Sequence, residues 1–315
     1  MDQIATAPGS RTDPGAGPAP ALRPGAGSFV LGVLRWLRRV AGVVPFGAYI
    51  VLGMVIPMIA VIVGAFQNPS NGGFTFGNVK TATHGVYLHG YWNSILLSVL
   101  AAVLPGIIGL LIAYAIFTAK RASVLRQLVI TTSGVFANFG GVPLAFLFIA
   151  SLGGGGLLTG WIQDVLPKSA WDGSELYTLS GVVLVYMYFQ IPLMVLVILP
   201  GLEGLRNAWR EAAANLGAGT WEYWRFVGGP VLFPTFLGCV LLLFGSSLSA
   251  YATAQAMTSG TIALTSIQIG TFLNGNVLPG EGNVGKALSL GLVLIIAVAM
   301  LLYVLLQRRA SRWLR

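Results

Sequence analysis

The chain has few charged residues and almost no cysteine for its length. Of its 315 residues, 9% are charged and 56% are hydrophobic. Soluble domains carry about 25% charged residues, so this composition excludes an ordinary soluble enzyme and a disordered chain. Lipid is therefore the expected surrounding for most of the sequence. The single cysteine, Cys239, lies in an apolar run, which excludes an internal disulfide and argues against a cysteine-based metal site.

Six long stretches contain no Asp, Glu, Lys, Arg or His. A helix needs about 20 apolar residues to cross the bilayer core, and hydrocarbon offers an open backbone no hydrogen-bond partner. The predicted spans are Val40–Phe66, Ile95–Phe117, Leu128–Leu152, Tyr177–Leu199, Val231–Met257 and Ala287–Leu306. The sequence therefore predicts an all-α integral membrane protein with six transmembrane helices over residues 40–307.

The third predicted span carries helix breakers near its middle. Asn138, Gly140, Gly141 and Pro143 follow one another closely there. A break inside a membrane is tolerated where neighbouring helices or a water-filled cavity satisfy the freed backbone groups. We therefore expect this span to be interrupted.

The basic residues predict the orientation of the chain. Fifteen of the 18 Lys and Arg residues lie before the first span, in the second and fourth loops, or after the last span. The positive-inside rule then places both termini in the cytoplasm. Residues 1–39 are interpreted as a disordered, basic cytoplasmic tail and residues 308–315 as a second basic tail. The excess charge indicates contact with anionic membrane lipid rather than with nucleic acid.

The longest loop on the predicted cytoplasmic side spans residues 201–230. Its apolar residues recur at helical spacing, and Gly217 stands where a glycine ends a helix. These apolar residues are Leu205, Trp209, Ala212 and Leu216. Such an amphipathic helix fits three arrangements: it lies on the membrane, folds back onto its own bundle, or docks into a groove of another protein.

An aromatic segment follows this helix. Its members are Trp221, Tyr223, Trp224 and Phe226. Aromatic side chains gather at membrane–water interfaces, so we interpret the segment as an interfacial belt in preference to a partner contact.

The spacing within this loop resembles a known family. Glu-Ala-Ala, three residues, Gly, nine residues, Val, two residues and Pro match the Glu-Ala-Ala loop of bacterial type I ABC importer permeases. The matching positions are Glu211, Ala212, Ala213, Gly217, Val227 and Pro230. Val227 replaces the family's Ile, and Gly229 stands where the family has Leu.

The resemblance implies a six-helix type I permease fold in a bacterial plasma (inner) membrane. It further implies pairing with a second permease subunit, identical or paralogous, and docking of this loop on a cytoplasmic ATP-binding subunit. A solute-binding protein would deliver cargo at the outer face. The chain itself would then hold no cofactor, no metal and no catalytic site, because the partner subunit binds ATP.

The stretch Phe244–Gly260 resembles spermidine/putrescine-type permeases in particular, which implies a polyamine cargo. The same broad group also carries iron, thiamine, phosphonate and oxyanions. The predicted spans contain no acid that would hold a cation, so they are equally consistent with an anion or a neutral solute.

Several polar residues within the spans are candidates for lining the solute pathway. They are Asn138, Ser246, Ser249, Tyr251, Thr253 and Gln255. The alternative for each is a hydrogen bond between helices, which is common in membrane bundles.

Two other classes of function remain to be weighed. An intramembrane serine hydrolase would need a base near Ser246, yet the only histidines, His84 and His89, lie in a predicted outer loop. A facilitator or channel working alone would need no ATP, so ATP-dependent uptake would distinguish it from an importer.

The predicted orientation is tested by cysteine labelling in intact cells on a Cys239→Ser background. A cysteine near Asp172 is expected to react with an impermeant reagent added outside, whereas one near Trp209 is not. Reaction of the Trp209 site would contradict the orientation.

Overall fold

The computed structural model describes residues 44–118, 123–165, 171–275 and 281–311. Within these ranges the chain is helical and contains no strand, apart from one isolated bridge between Gln67 and Phe74. Of the described residues, Val44–Ile59 belong to one compact unit and those from Ala60 onward to another. The predicted tail of residues 1–39 lies outside the described part of the chain.

Twelve helices are numbered here in chain order across the described ranges. They are α1 Val44–Ala65, α2 Gly77–Ala82, α3 Gly85–Thr118, α4 Ser123–Asn138, α5 Val142–Leu152, α6 Leu157–Val165, α7 Leu179–Glu203, α8 Asn207–Asn215, α9 Thr220–Ser249, α10 Ala252–Thr258, α11 Thr265–Leu273 and α12 Val284–Ser311. A π-helical turn, Trp224–Gly228, lies within α9, and a short 3-10 turn, Ser174–Tyr177, precedes α7.

Six stretches are long and apolar enough to cross a membrane, which confirms the predicted number. They are Val44–Ala65, Gly85–Thr118, Val142–Val165, Leu179–Glu203, Thr220–Ser249 and Val284–Arg308. Helix α12 continues to Ser311, so the first residues of the predicted C-terminal tail are helical.

The third stretch differs in its bounds from the predicted span Leu128–Leu152. Helix α4 ends at Asn138, and α5 begins only at Val142. Gly141 between them has φ 78° and ψ −153°, a conformation available almost only to glycine. The expected interruption is therefore confirmed, and it divides the predicted span into two helices.

The fifth predicted span, Val231–Met257, is also divided. Helix α9 begins earlier, at Thr220, and ends at Ser249, and α10 starts at Ala252. Ala250 between them has extended backbone with φ −73° and ψ 98°. No glycine or proline marks this second break, which the sequence analysis did not predict.

Helices α3 and α7 pack closely along each other and form the centre of the core with α9. Small residues permit this approach. A Cβ atom added to Gly109 of α3 would lie 2.6 Å from Cβ of Met194 and 3.0 Å from the carbonyl oxygen of Ile191, both on α7. Interiors packed at this density tolerate no added methyl group without displacement.

The close contact of α3 with α7 predicts the effect of a single methyl group. We expect Gly109→Ala to lower the free energy of unfolding by about 1–3 kcal/mol, the usual cost of overpacking. Gly134→Ala on α4 is the matched control, because nothing lies within 4 Å of its added Cβ. Thermal unfolding in detergent measures both variants, and equal melting temperatures would contradict the packing argument.

Candidate functional site

Helix α8 is short and sharply ended by glycine. The amide of Gly217 donates to the carbonyl of Ala214 at 2.9 Å, and that of Ala218 donates to Ala213 at 3.0 Å. Gly217 has φ 80°, which L side chains rarely adopt. These two bonds form the Schellman motif, so the helix end predicted at Gly217 is confirmed.

Helix α8 is not packed into the core of the bundle. None of its residues is buried. Leu205, which the sequence pattern placed on the apolar face of this helix, instead precedes α8 and is buried in the core. The side chain of Leu216, just after the helix, is 88% exposed. The arrangement in which α8 folds back onto its own bundle is therefore not the one observed.

An apolar cleft of 520 Å³ lies between α8 and the first turns of α9. It is lined by Trp209, Ala212, Ala213, Leu216, Ala218, Glu222, Tyr223, Phe226, Val227 and Val231. The alanines keep the α8 wall low, which leaves the cleft open to a side chain from another molecule. Glu211, Gly217 and Pro230 of the family motif do not line it.

The aromatic segment beside the cleft points in two directions. Tyr223 is buried, and Trp224 stacks edge-on against Tyr114 of α3 with ring centroids 5.1 Å apart. Trp221 and Phe226 are 74% and 69% exposed. Two of the four rings thus fix the start of α9 to the bundle, and two remain available to a membrane surface or a partner.

The π-helical turn explains why Gly229 stands where the family pattern has Leu. The carbonyl of Trp224 accepts the amide of Gly229 across the wider π turn. A Cβ atom at position 229 would overlap that carbonyl oxygen. Glycine therefore fits this backbone where the family's Leu would not, and Pro230 follows in the first turn of the regular helix, where proline is tolerated.

A second group of candidate residues lies where the two helix breaks meet. The hydroxyl of Thr253 on α10 accepts a hydrogen bond from the Gly141 amide at 2.9 Å and donates one to the Gly141 carbonyl at 3.2 Å. Thr253 is only 3% exposed. Thr253 thus supplies the partner of the Gly141 amide and shares the Gly141 carbonyl with the amide of Ala145, which donates to it at 3.3 Å.

The second break is satisfied from α7. The hydroxyl of Tyr186 donates to the carbonyl of Ala250 at 2.8 Å, and the Tyr186 side chain is fully buried. One turn further along α7, the buried amide of Gln190 donates to the carbonyl of Leu243 at 3.0 Å and to the hydroxyl of Ser247. Tyr186 was not among the predicted site residues, because a tyrosine in an apolar span carries no distinctive signal.

The remaining predicted pathway residues occupy different surroundings. Asn138 donates to the carbonyl of Gly134 within α4. Ser249 is exposed, and its hydroxyl bonds the carbonyls of Gly245 and Ser246 in its own helix. The Gln255 amide oxygen is buried without a hydrogen-bond partner.

A cavity of 380 Å³ begins at two of the predicted residues, Ser249 and Tyr251. Its other lining residues are Ser266, Ile269, Gly270, Leu273, Asn274 and Leu292. The ring of Tyr251 lies against Gly270 of α11, where an added Cβ would come within 2.9 Å of the tyrosine hydroxyl. Ser266 and Asn274 were not predicted as lining residues, because the sequence pattern of their stretch is typical of a loop.

Among the described residues, no group of three or more His, Cys, Asp or Glu side chains converges to hold a metal ion. The residues that line the Tyr251 cavity are uncharged, whereas Glu222 brings a carboxylate to the α8 cleft.

Comparison with known families agrees with this geometry. The family described as the binding-protein-dependent transport system inner membrane component matches residues 106–315. The chain belongs to this family. It is accordingly a multi-pass inner-membrane permease subunit of an ABC importer, and residues 106–315 contain α8, its cleft and both helix breaks.

Curated relatives of the permease are named for different cargoes. The probable sulfate transport system permease protein of Helicosporidium sp. subsp. Simulium jonesii is 25% identical over 82% of this chain and 90% of its own length. The thiamine transport system permease protein of Salmonella typhimurium is 28% identical over 49% of this chain and 28% of its own length.

Solved structures share the fold of the permease. A chain of a bacterial ABC transporter involved in import of the acidic polysaccharide alginate superposes with a TM-score of 0.69 at 18% identity, over 90% of this chain and 99% of that one. The alginate transporter in complex with a periplasmic protein bound to alginate pentasaccharide gives 0.71 at 18% identity, over 88% and 96%.

The link between the two breaks predicts an effect of the Thr253 hydroxyl on stability. We expect Thr253→Val to lower the free energy of unfolding by about 1–3 kcal/mol, because it leaves the Gly141 amide without a partner. Thr253→Ser keeps the hydroxyl and is the control. Hydrogen exchange at residues 139–142, followed by mass spectrometry, is expected to accelerate in the valine variant alone. Unchanged protection there would refute the link.

Proposed function

We propose that this permease couples solute transport to a separate ATP-binding subunit, which docks on α8 and its cleft. The observation that carries this proposal is the exposure of α8. A helix without a buried residue, beside an open apolar cleft, lacks the packing that stabilises most helices in proteins. A docked subunit would supply that packing.

The surface of α8 fits a protein partner better than a membrane surface. A helix that lies on a membrane carries large apolar side chains along one face. In α8 that face has only Trp209 and, just after the helix, Leu216 as large side chains. Ala212 and Ala213 lie between them and permit close approach of a protein groove. Helix-in-groove docking relies on such complementarity.

The orientation of the chain is part of the proposal. The distribution of basic residues supports cytoplasmic termini, which places α8 on the side where ATP is available. The chain itself is not expected to bind ATP or any other cofactor. Nor is it expected to catalyse a reaction.

A second permease subunit is expected to complete the solute pathway. Ser249 and Tyr251 are exposed at the membrane-spanning level, next to the break after α9. Polar groups there are costly unless they face protein or water. Pairing through this face would cover them and enclose a polar route that includes the cavity at Tyr251. A solute-binding protein would load this route from the outer side.

The cargo is proposed by chemical class. The polyamine implied by sequence resemblance gains no support from the relatives, which are named for sulfate and thiamine. A polycation would also find no carboxylate among the residues that line the Tyr251 cavity. We therefore favour a small anionic or neutral solute, with sulfate as the first cargo to test.

The coupling role is tested by adding bulk to the cleft. We expect Ala213→Trp to abolish both uptake and stimulated ATP hydrolysis, because the ring would fill the cleft. Gly217→Val is expected to reduce both, since strain at a positive φ costs on the order of 1–3 kcal/mol and misplaces the helix end. The assay uses the full complex in lipid, with and without loaded binding protein.

Ala214→Trp is the matched control, because Ala214 neighbours Ala213 in sequence but does not line the cleft. It is expected to retain substantially more activity than Ala213→Trp. Normal stimulated hydrolysis and uptake in both Ala213→Trp and Gly217→Val would refute coupling through this surface.

A further inference from the structure

A compact hairpin follows α1 directly. Residues 66–76 turn back on themselves, and the amide of Asn68 donates to the carbonyl of Gly73 at 2.8 Å. The amide of Thr75 donates to the carbonyl of Phe66 at 2.7 Å. We call these residues the aromatic hairpin, because three phenylalanines gather at its base.

Two buried asparagines fix the hairpin to the bundle. The side-chain amide of Asn78 donates to the carbonyls of Ala65 and Gln67 at 3.1 and 2.9 Å. The amide of Asn283, at the start of α12, donates to the same Gln67 carbonyl at 2.8 Å. The base of the hairpin is therefore held in place relative to the end of α1.

The three rings form one cluster whose outer part is exposed. The ring centroids of Phe74 and Phe76 lie 5.8 and 5.6 Å from that of Phe66, and 5.0 Å from each other. Phe74 nevertheless remains 74% exposed and Phe76 63% exposed. In water, the apolar rings of Phe74 and Phe76 would stay exposed to solvent, because hydrogen bonds to the bundle hold the base of the hairpin in place.

The position of the cluster indicates what covers these rings. Phe66 is the residue after the apolar stretch that ends at Ala65, and the other two rings lie about one helical turn from it. The cluster is therefore at the level where the membrane-spanning helix meets water. Residues 66–77 contain no charged side chain.

We propose that the aromatic hairpin inserts the rings of Phe74 and Phe76 into the boundary between lipid headgroups and acyl chains, and so anchors this end of α1. Phenylalanine is among the apolar side chains that bury at that boundary in segments lying on a membrane. The apolar surface of α1 continues into the cluster through the exposed side chains of Ile62 and Val63.

Depth measurement by electron paramagnetic resonance tests the proposal. A nitroxide is attached at Phe74→Cys or Phe76→Cys on a Cys239→Ser background, and the full complex is placed in vesicles of phosphatidylethanolamine and phosphatidylglycerol. Collisions with oxygen report an apolar surrounding, and collisions with a water-soluble nickel chelate report an aqueous one. We expect oxygen collisions to dominate at both hairpin sites.

Two reference sites calibrate the result. A label at Val298, exposed near the middle of α12, marks the apolar limit, and a label at exposed Lys80 marks the aqueous limit. Dominant nickel collisions at both hairpin sites would overturn the proposal. Immobilisation of those aqueous labels by added binding protein would identify a protein-docking surface instead and would equally overturn it.

Discussion

Hydrocarbon offers no hydrogen bond to an open peptide group, and the arrangement of this permease depends on how it meets that constraint. Two of its predicted membrane spans are interrupted, at the start of one observed apolar stretch and at the end of another, and the peptide groups there bond within the protein. Thr253 bonds the amide and the carbonyl of Gly141, and Tyr186 bonds the carbonyl of Ala250. Because each partner comes from a different helix, the breaks also tie α5, α7 and α10 together. The Gly141 amide and the Ala250 carbonyl thus have hydrogen-bond partners that neither lipid nor water needs to supply.

The two candidate sites lie at opposite ends of one helix. The cleft beside α8 is formed partly by the first turns of α9, and the second break follows the last residue of α9. This helix has 30 residues, which corresponds to about 45 Å. A subunit that moved the start of α9 would therefore displace Ser249 and Tyr251 at its far end. The proposed coupling requires no separate transmitting element.

Local signals in the sequence predicted some features well. The end of α8 at Gly217 and the interruption near Gly141 depend on backbone conformations that favour glycine. A glycine in the sequence therefore marks each of them. The break after Ser249 depends on the tertiary bond from Tyr186 and has no glycine or proline to mark it. Helix α11 was missed for a similar reason, since its nine residues are held by contacts such as that of Ser94 with the Thr265 amide. Single-residue patterns do not encode such distant partners.

The central claim is that α8 contacts an ATP-binding subunit. Photo-crosslinking from Leu216 tests this claim most directly. A benzophenone amino acid at this exposed position, in the assembled complex in native membranes, would react with whatever covers the helix. The account predicts an adduct between the permease and an ATP-binding subunit, identified by mass spectrometry. Adducts confined to lipid or to the permease's own chain would contradict it.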